Sequence, residues 1–188
     1  MQNAKEEQIK QKEEDAFKLT ELEHQKEPVK AELQKKFITP LMRTNSGYNI
    51  DLPNCVMLTG ENPYVMQELI EWTGEVSDAD FVKLPSLYSK GDMIDNLYDT
   101  LANAEKNYQN TGKRSIIFVN GMSKLLEEKN NSKTDIADMK YIMNAANKNF
   151  HSTIMFYSKN PSEFAPGINA IHRIGLKINV PIDMDVKL

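Results

Sequence analysis

The stretch CVMLTGENPYVMQELIEW, residues 55–72, decides the fold. It opens on a short apolar run, passes through Gly60 and enters an amphipathic segment. Asn62 is a helix-capping residue, and Pro63 suits the first helical position, where a missing N–H removes nothing. The stretch is therefore read as strand, tight turn, helix. Residues 55–58 are apolar on consecutive positions, so both faces of this strand need cover, as in a parallel sheet between helices.

Outward from this unit the same alternation repeats. DFVKL (80–84), SIIFVNG (115–121), TIMFY (153–157) and GLKINV (175–180) read as four further strands. Between them, Ile94, Leu97, Tyr98, Leu101 and Ala104 fall at helical spacing, as do Ile136, Met139, Met143 and Ala146, so each set is expected on a buried helix face. In EEKNNSKTD (127–135), Ser132 or Thr134 is expected to cap the following helix. Strand and helix in alternation predict an α/β fold: a three-layer αβα domain around a parallel five-stranded sheet, joined by right-handed crossovers.

Residues 1–40 differ from the rest and are read as a charged helical extension or linker, with the domain spanning residues 41–188. Lys and Glu are mixed densely, which suits a solvated helix with i,i+4 pairs. Ile9, Ala16 and Leu19 or Leu22 form only a thin apolar stripe. Pro28 is expected to break or kink the helix. Val29, Leu33 and Phe37 make a stronger face, expected to dock its C-terminal end while the remainder projects or lies loosely along the domain.

The 188 residues carry 23 Lys and Arg against 27 Asp and Glu, a formal charge of −4. That balance offers no basic footprint, so neither nucleic acid nor an anionic membrane is an expected partner. No apolar run approaches a membrane span, and the N-terminus lacks the apolar core of a signal peptide. Cys55 is the single cysteine and sits in an apolar run, so it reads as a buried hydrophobe in a reducing, cytoplasmic setting. His24, His151 and His172 show no ligand spacing, and the acidic turn of Glu75, Asp78 and Asp80 reads as solvated; no metal is expected. No Ser/His/Asp or Cys/His arrangement is visible.

The order of these motifs resembles the nucleotide-binding core of the AAA+ ATPase family, over residues 53–181. PNCVMLTGENPYVMQELIEW holds the place of the first strand and phosphate loop, and YSKGD, after the second strand, that of a pore-facing loop. KRSIIFVNGMSKLL is similar to the strand that ends in the family's paired acids. STIMFYSKNPSEFAPGI resembles the sensor strand, and IHRIGLKINVP the final strand with an arginine before it. The resemblance implies a P-loop-like sheet of order 5-1-4-3-2, with GLKINV at one edge and DFVKL at the other. An unrelated flavodoxin-like domain is the alternative, and strand order separates the two.

The residues that would carry chemistry depart from the family's pattern. Met66 and Gln67 stand where a lysine would neutralise phosphates and a hydroxyl would hold Mg²⁺. Asn120 and Gly121 stand where the metal-holding aspartate and water-activating glutamate belong. Only Gly60, Glu61 and Asn62 connect strand to helix, and Glu61 brings a negative charge to the place of a triphosphate. The implied cofactor-binding set is a vestigial one: Gly60, Glu61, Asn62, Met66, Gln67, Asn120, Lys159 and Asn160, the last two near the sensor position. Degenerate Walker motifs of this kind imply a pseudo-ATPase, with no catalytic residue and at most weak ATP or ADP binding.

Arg173 matches the arginine that can reach a neighbouring subunit's nucleotide, although an ordinary surface arginine near Asp183 or Asp185 is the preferred reading. Tyr88, Ser89 and Lys90 fall where active members grip polypeptide; a plain loop is preferred. The short tail PIDMDVKL cannot be the family's helical lid, so either the chain is a piece of a longer protein or the lid is lost. The expected function is a non-catalytic scaffold, or an inactive subunit or domain of an AAA+-type assembly. Its partners would be proteins: active AAA+ subunits or further copies of itself. The alternative is a weak nucleotide sensor or a divergent ATPase using other residues.

Overall fold

The computed structural model describes residues 2–86 and 89–182. Five strands form one all-parallel sheet: β1 (Cys55–Thr59), β2 (Asp80–Leu84), β3 (Ser115–Val119), β4 (Ser152–Ser158) and β5 (Leu176–Asn179). Their order is β2-β3-β4-β1-β5. That is the expected 5-1-4-3-2, and it differs from the flavodoxin-like 2-1-3-4-5. β1 is an interior strand, pairing Cys55 with Ile154 of β4 and Val56 with Leu176 of β5.

The helices divide between the two faces. α3 (Pro63–Val76) follows β1, and α4 (Lys90–Thr111) leads from β2 to β3. α5 (Met122–Leu126) and α6 (Lys133–Asn149) lead from β3 to β4. Alternate strand residues point to opposite faces. Accordingly Met57, Ile117, Ile154 and Phe156 join one core with Leu97, Leu101, Met139 and Met143 of α4 and α6. Val56, Leu58, Ile116, Phe118 and Met155 join the other with Val65, Met66, Leu69 and Ile70 of α3.

The caps follow the sequence reading. The Asn62 side chain accepts from the Val65 backbone N–H, and Ser132 forms a reciprocal capping box with Asp135. The helix faces hold with one correction: Tyr98, placed on the buried face of α4 by its spacing, is 44% exposed. Its ring lies at the edge of the stripe, against the Phe150 ring.

The N-terminal segment corrects another expectation. α1 (Gln2–Leu33) runs unbroken through Pro28, then continues through a π-helical turn (Gln34–Ile38) into α2 (Thr39–Asn45). Proline at 28 removes only the hydrogen bond to the carbonyl of His24. Both residues are exposed, while Leu22, Lys26, Val29 and Leu33 hold the helix to the domain on either side of the defect. Residues 3–21 are exposed throughout, an arm of roughly 30 Å. From Leu22 onward the helix belongs to the second core: Leu22, Val29, Leu33, Phe37, Ile38 and Leu41 are buried with α3 and the sheet. Each such side chain contributes about 1.5–3 kcal/mol of burial.

Lys26 is also taken into this interface. Its ammonium bonds Glu23 at 2.9 Å and Glu68 of α3 at 2.5 Å, and Lys30 lies over the Trp72 ring.

Candidate functional site

A parallel sheet places ligands outside the carboxyl ends of its strands, where neighbouring strands send their chains to opposite sides. Here β1 and β4 are those neighbours. β1 hands the chain to α3 on one face, while the chain leaving β4 packs Phe164, Ala165 and Ile168 on the other. A cleft of about 430 Å³ opens at this point.

Its walls come from the ends of four strands. Pro63 follows β1, Ser86 follows β2, Asn120, Gly121, Ser123 and Lys124 follow β3, and Tyr157 to Asn160 end β4. The Tyr157 hydroxyl donates to Asn120 Oδ1 at 3.3 Å. Burial raises the Tyr157 pKa, against a lowering by Lys83, so the phenol stays a donor at neutral pH. Lys124 and Lys159 bring two ammonium groups and Glu127 one carboxylate. The arrangement can hold a polar or anionic group weakly. It offers no nucleophile beside a base.

Of the vestigial set, the structure brings Asn120, Lys159 and Asn160 together in the cleft. Gly60, Glu61, Asn62, Met66 and Gln67 do not line it. Met66 is fully buried in the core beneath α3. Gln67 donates to Glu71 at 3.2 Å, and Glu71 pairs with Lys83 of β2 at 2.5 Å. Both side chains of the would-be phosphate-and-metal pair are thus committed elsewhere, because α3 starts at Pro63 and turns them away.

The helix N-terminus is partly occupied. Of its first-turn nitrogens, that of Pro63 has no hydrogen, and the Val65 N–H goes to Asn62 Oδ1. The Met66 N–H makes the first bond of the helix, to the Asn62 carbonyl. Two of the donors that bind anions at helix starts are thus absent or taken.

Gly60 has a packing reason: a Cβ there would lie 2.6 Å from the Val180 carbonyl oxygen. Gly121 has a conformational one. It sits at φ +79°, and a Cβ would lie 2.8 Å from Ser86 Oγ. Any side chain at this position would therefore be strained.

Arg173 lies apart, just ahead of β5 and so at the amino end of the sheet. Its Nη1 donates to the Gly167 carbonyl at 2.6 Å, folding the side chain back on its own loop. The alternative partners Asp183 and Asp185 lie outside the described residues, as does Tyr88. Ser89 caps α4 by accepting from Asp92 N–H, and Lys90 opens that helix. In the acidic turn, Asp78 pairs with Lys113 and Asp80 accepts from Asn107. His151 stacks on Tyr108 and contacts Glu105 at 2.9 Å. Cys55 is fully buried, and burial pushes its thiol far above the usual range.

Ser86, Ser123, Lys124, Glu127 and Tyr157 line the cleft without having been singled out from sequence. Tyr157 was the accessible one: it closes an apolar strand beside the expected sensor position, with one polar atom to satisfy. Among the described residues, no three His, Cys, Asp or Glu side chains converge on a metal site, and no described helix is long and apolar enough to cross a membrane. No protein-family model matches the chain, and no curated protein matches it in sequence.

Proposed function

We propose that this domain is a non-catalytic, AAA+-like module that serves as a scaffold or inactive subunit in a protein assembly. The observation that carries this reading is the start of α3. The Asn62 cap and Pro63 remove two of the donors that a helix start offers a phosphate, and Met66 is packed into the core rather than offered as a replacement for a lysine. Gly121, at positive φ against Ser86, supports the same conclusion from the other side of the cleft. The strand order 5-1-4-3-2 is the one the family resemblance implies. With the chemistry absent, what remains to act is surface.

A second reading, weak nucleotide sensing, has Lys124, Lys159 and Asn120 in its favour, since they share one polar cleft. A calorimetric isotherm of ATP binding, with and without Mg²⁺, separates the two. The scaffold reading expects no saturable heat at millimolar ATP. Saturation in the micromolar range that sharpens with Mg²⁺ would replace it with the sensor.

A further inference from the structure

The outer groove between α4 and α6 shares no lining residue with the cleft and measures about 450 Å³. Its floor is apolar, made by Ile94 and Ile142, both largely buried. Tyr98 and Tyr141 line it while remaining 44% and 58% exposed. The Tyr98 ring is held by an edge-on contact with Phe150, 5.7 Å between centroids, so one wall is set before anything binds.

Its charge has a single sign. Asp95, Asp99 and Asp138 line the groove with no lysine or arginine among them. Asp95 and Asp99 are four residues apart on one helix, a spacing at which like charges weaken the helix. Among the described residues, none of the three forms an ion pair, whereas Glu71, Asp78 and Glu163 elsewhere each have a lysine. The tyrosine faces add negative quadrupole to the same space.

The complementary ligand is therefore cationic, and its shape is constrained. The carboxylates do not converge closely enough to hold a metal ion. An apolar floor under separated carboxylates fits a cation on an aliphatic stem: the stem lies on the isoleucines and the head meets carboxylate and ring. A guanidinium suits this best, being planar, weakly hydrated and able to stack. The geometry points to a docking groove for an arginine- or lysine-bearing segment of a partner protein. This assignment stands whether or not the cleft binds nucleotide.

The test is an amide chemical-shift titration of the full chain with a blocked hexapeptide alternating arginine and leucine. The expected shifts cluster at residues 94–102 and 138–145. The variant D95N/D99N/D138N, which relieves repulsion and should stay folded, weakens binding about tenfold or more. The variant E6Q/E7Q/E13Q removes as many charges from the arm and leaves binding unchanged, and Tyr141→Ala weakens it with no change of charge. Equal weakening by both charge variants, or shifts spread along the arm, would reduce the effect to bulk charge and overturn the proposal. So would the same pattern from spermidine or calcium chloride at equal or lower concentration, or from concentrating the protein without peptide.

Discussion

A Cβ at Gly60 would stand 2.6 Å from the Val180 carbonyl oxygen, so the backbones leaving β1 and β5 are in contact. Val180 N–H also donates to the Thr59 carbonyl at 2.7 Å, which fixes the approach. The obstacle is main chain and cannot rotate away. Gly60→Ala is expected to destabilise the domain by about 1–3 kcal/mol, read as a shift in urea midpoint at unchanged slope. An unchanged midpoint would mean that the contact is loose.

Gly121 gives an independent prediction. Placing two acids at these positions with N120D/G121E forces a side chain into left-handed backbone and against Ser86. The variant is expected to lose about 1–3 kcal/mol and to gain no ATP turnover. Turnover appearing in it would show that the cleft lacks only these two carboxylates.

The N-terminal helix should divide functionally at Leu22. Removing residues 3–21 takes away only exposed side chains and should leave the melting temperature nearly unchanged. Phe37→Ala empties a fully buried position and should cost about 3–5 kcal/mol. A chain starting near Lys36 should not fold cooperatively. If it melts like the full chain, the helix is an attachment and not a part of the core.

The ion pairs set the pH dependence. Burial alone would lower the Lys26 pKa, but the hydrogen bonds it donates to Glu23 and Glu68 outweigh that and raise the value. A raised folded pKa contributes stability that is full below the ordinary 10.5 and lost as pH climbs through the folded value. Glu71 is lowered, chiefly by its bond to Lys83, so its contribution is present above 4.5 and lost as pH falls through the folded value. Lys26→Met leaves Glu23 and Glu68 partly solvated, and should change stability at pH 7 by no more than about 1 kcal/mol. It should flatten the alkaline arm of the urea-midpoint profile, while Glu71→Gln flattens the acid arm. Profiles parallel to wild type would disprove both assignments.

β1, β3 and β4 were readable because their residues are apolar on consecutive positions, as in a doubly covered strand. The edge strands β2 and β5 carry Lys83 and Lys177 and were readable from their place in the alternation. The α3 start was readable from Asn62 and Pro63, a purely local signal. What sequence could not give depends on distant chain. Gly60 is glycine because of Val180, 120 residues away. Lys26 looks like one lysine among many until α3 brings Glu68 to it. Pro28 does not end the helix, because packing on both sides of the proline holds the hydrogen-bonded turns together. In the cleft, Asn120, Tyr157 and Lys159 sit at strand ends that the sequence marks, whereas Lys124 depends on how α5 packs beside the end of β4.

A scaffold needs no nucleotide chemistry in the cleft at the ends of β1 to β4. Steady-state phosphate release by the full chain with saturating ATP and Mg²⁺ reads that chemistry. The expected rate is indistinguishable from buffer and unchanged by Asn120→Ala. Turnover of about one per second, in the ordinary range for enzymes and abolished by Asn120→Ala, would contradict it.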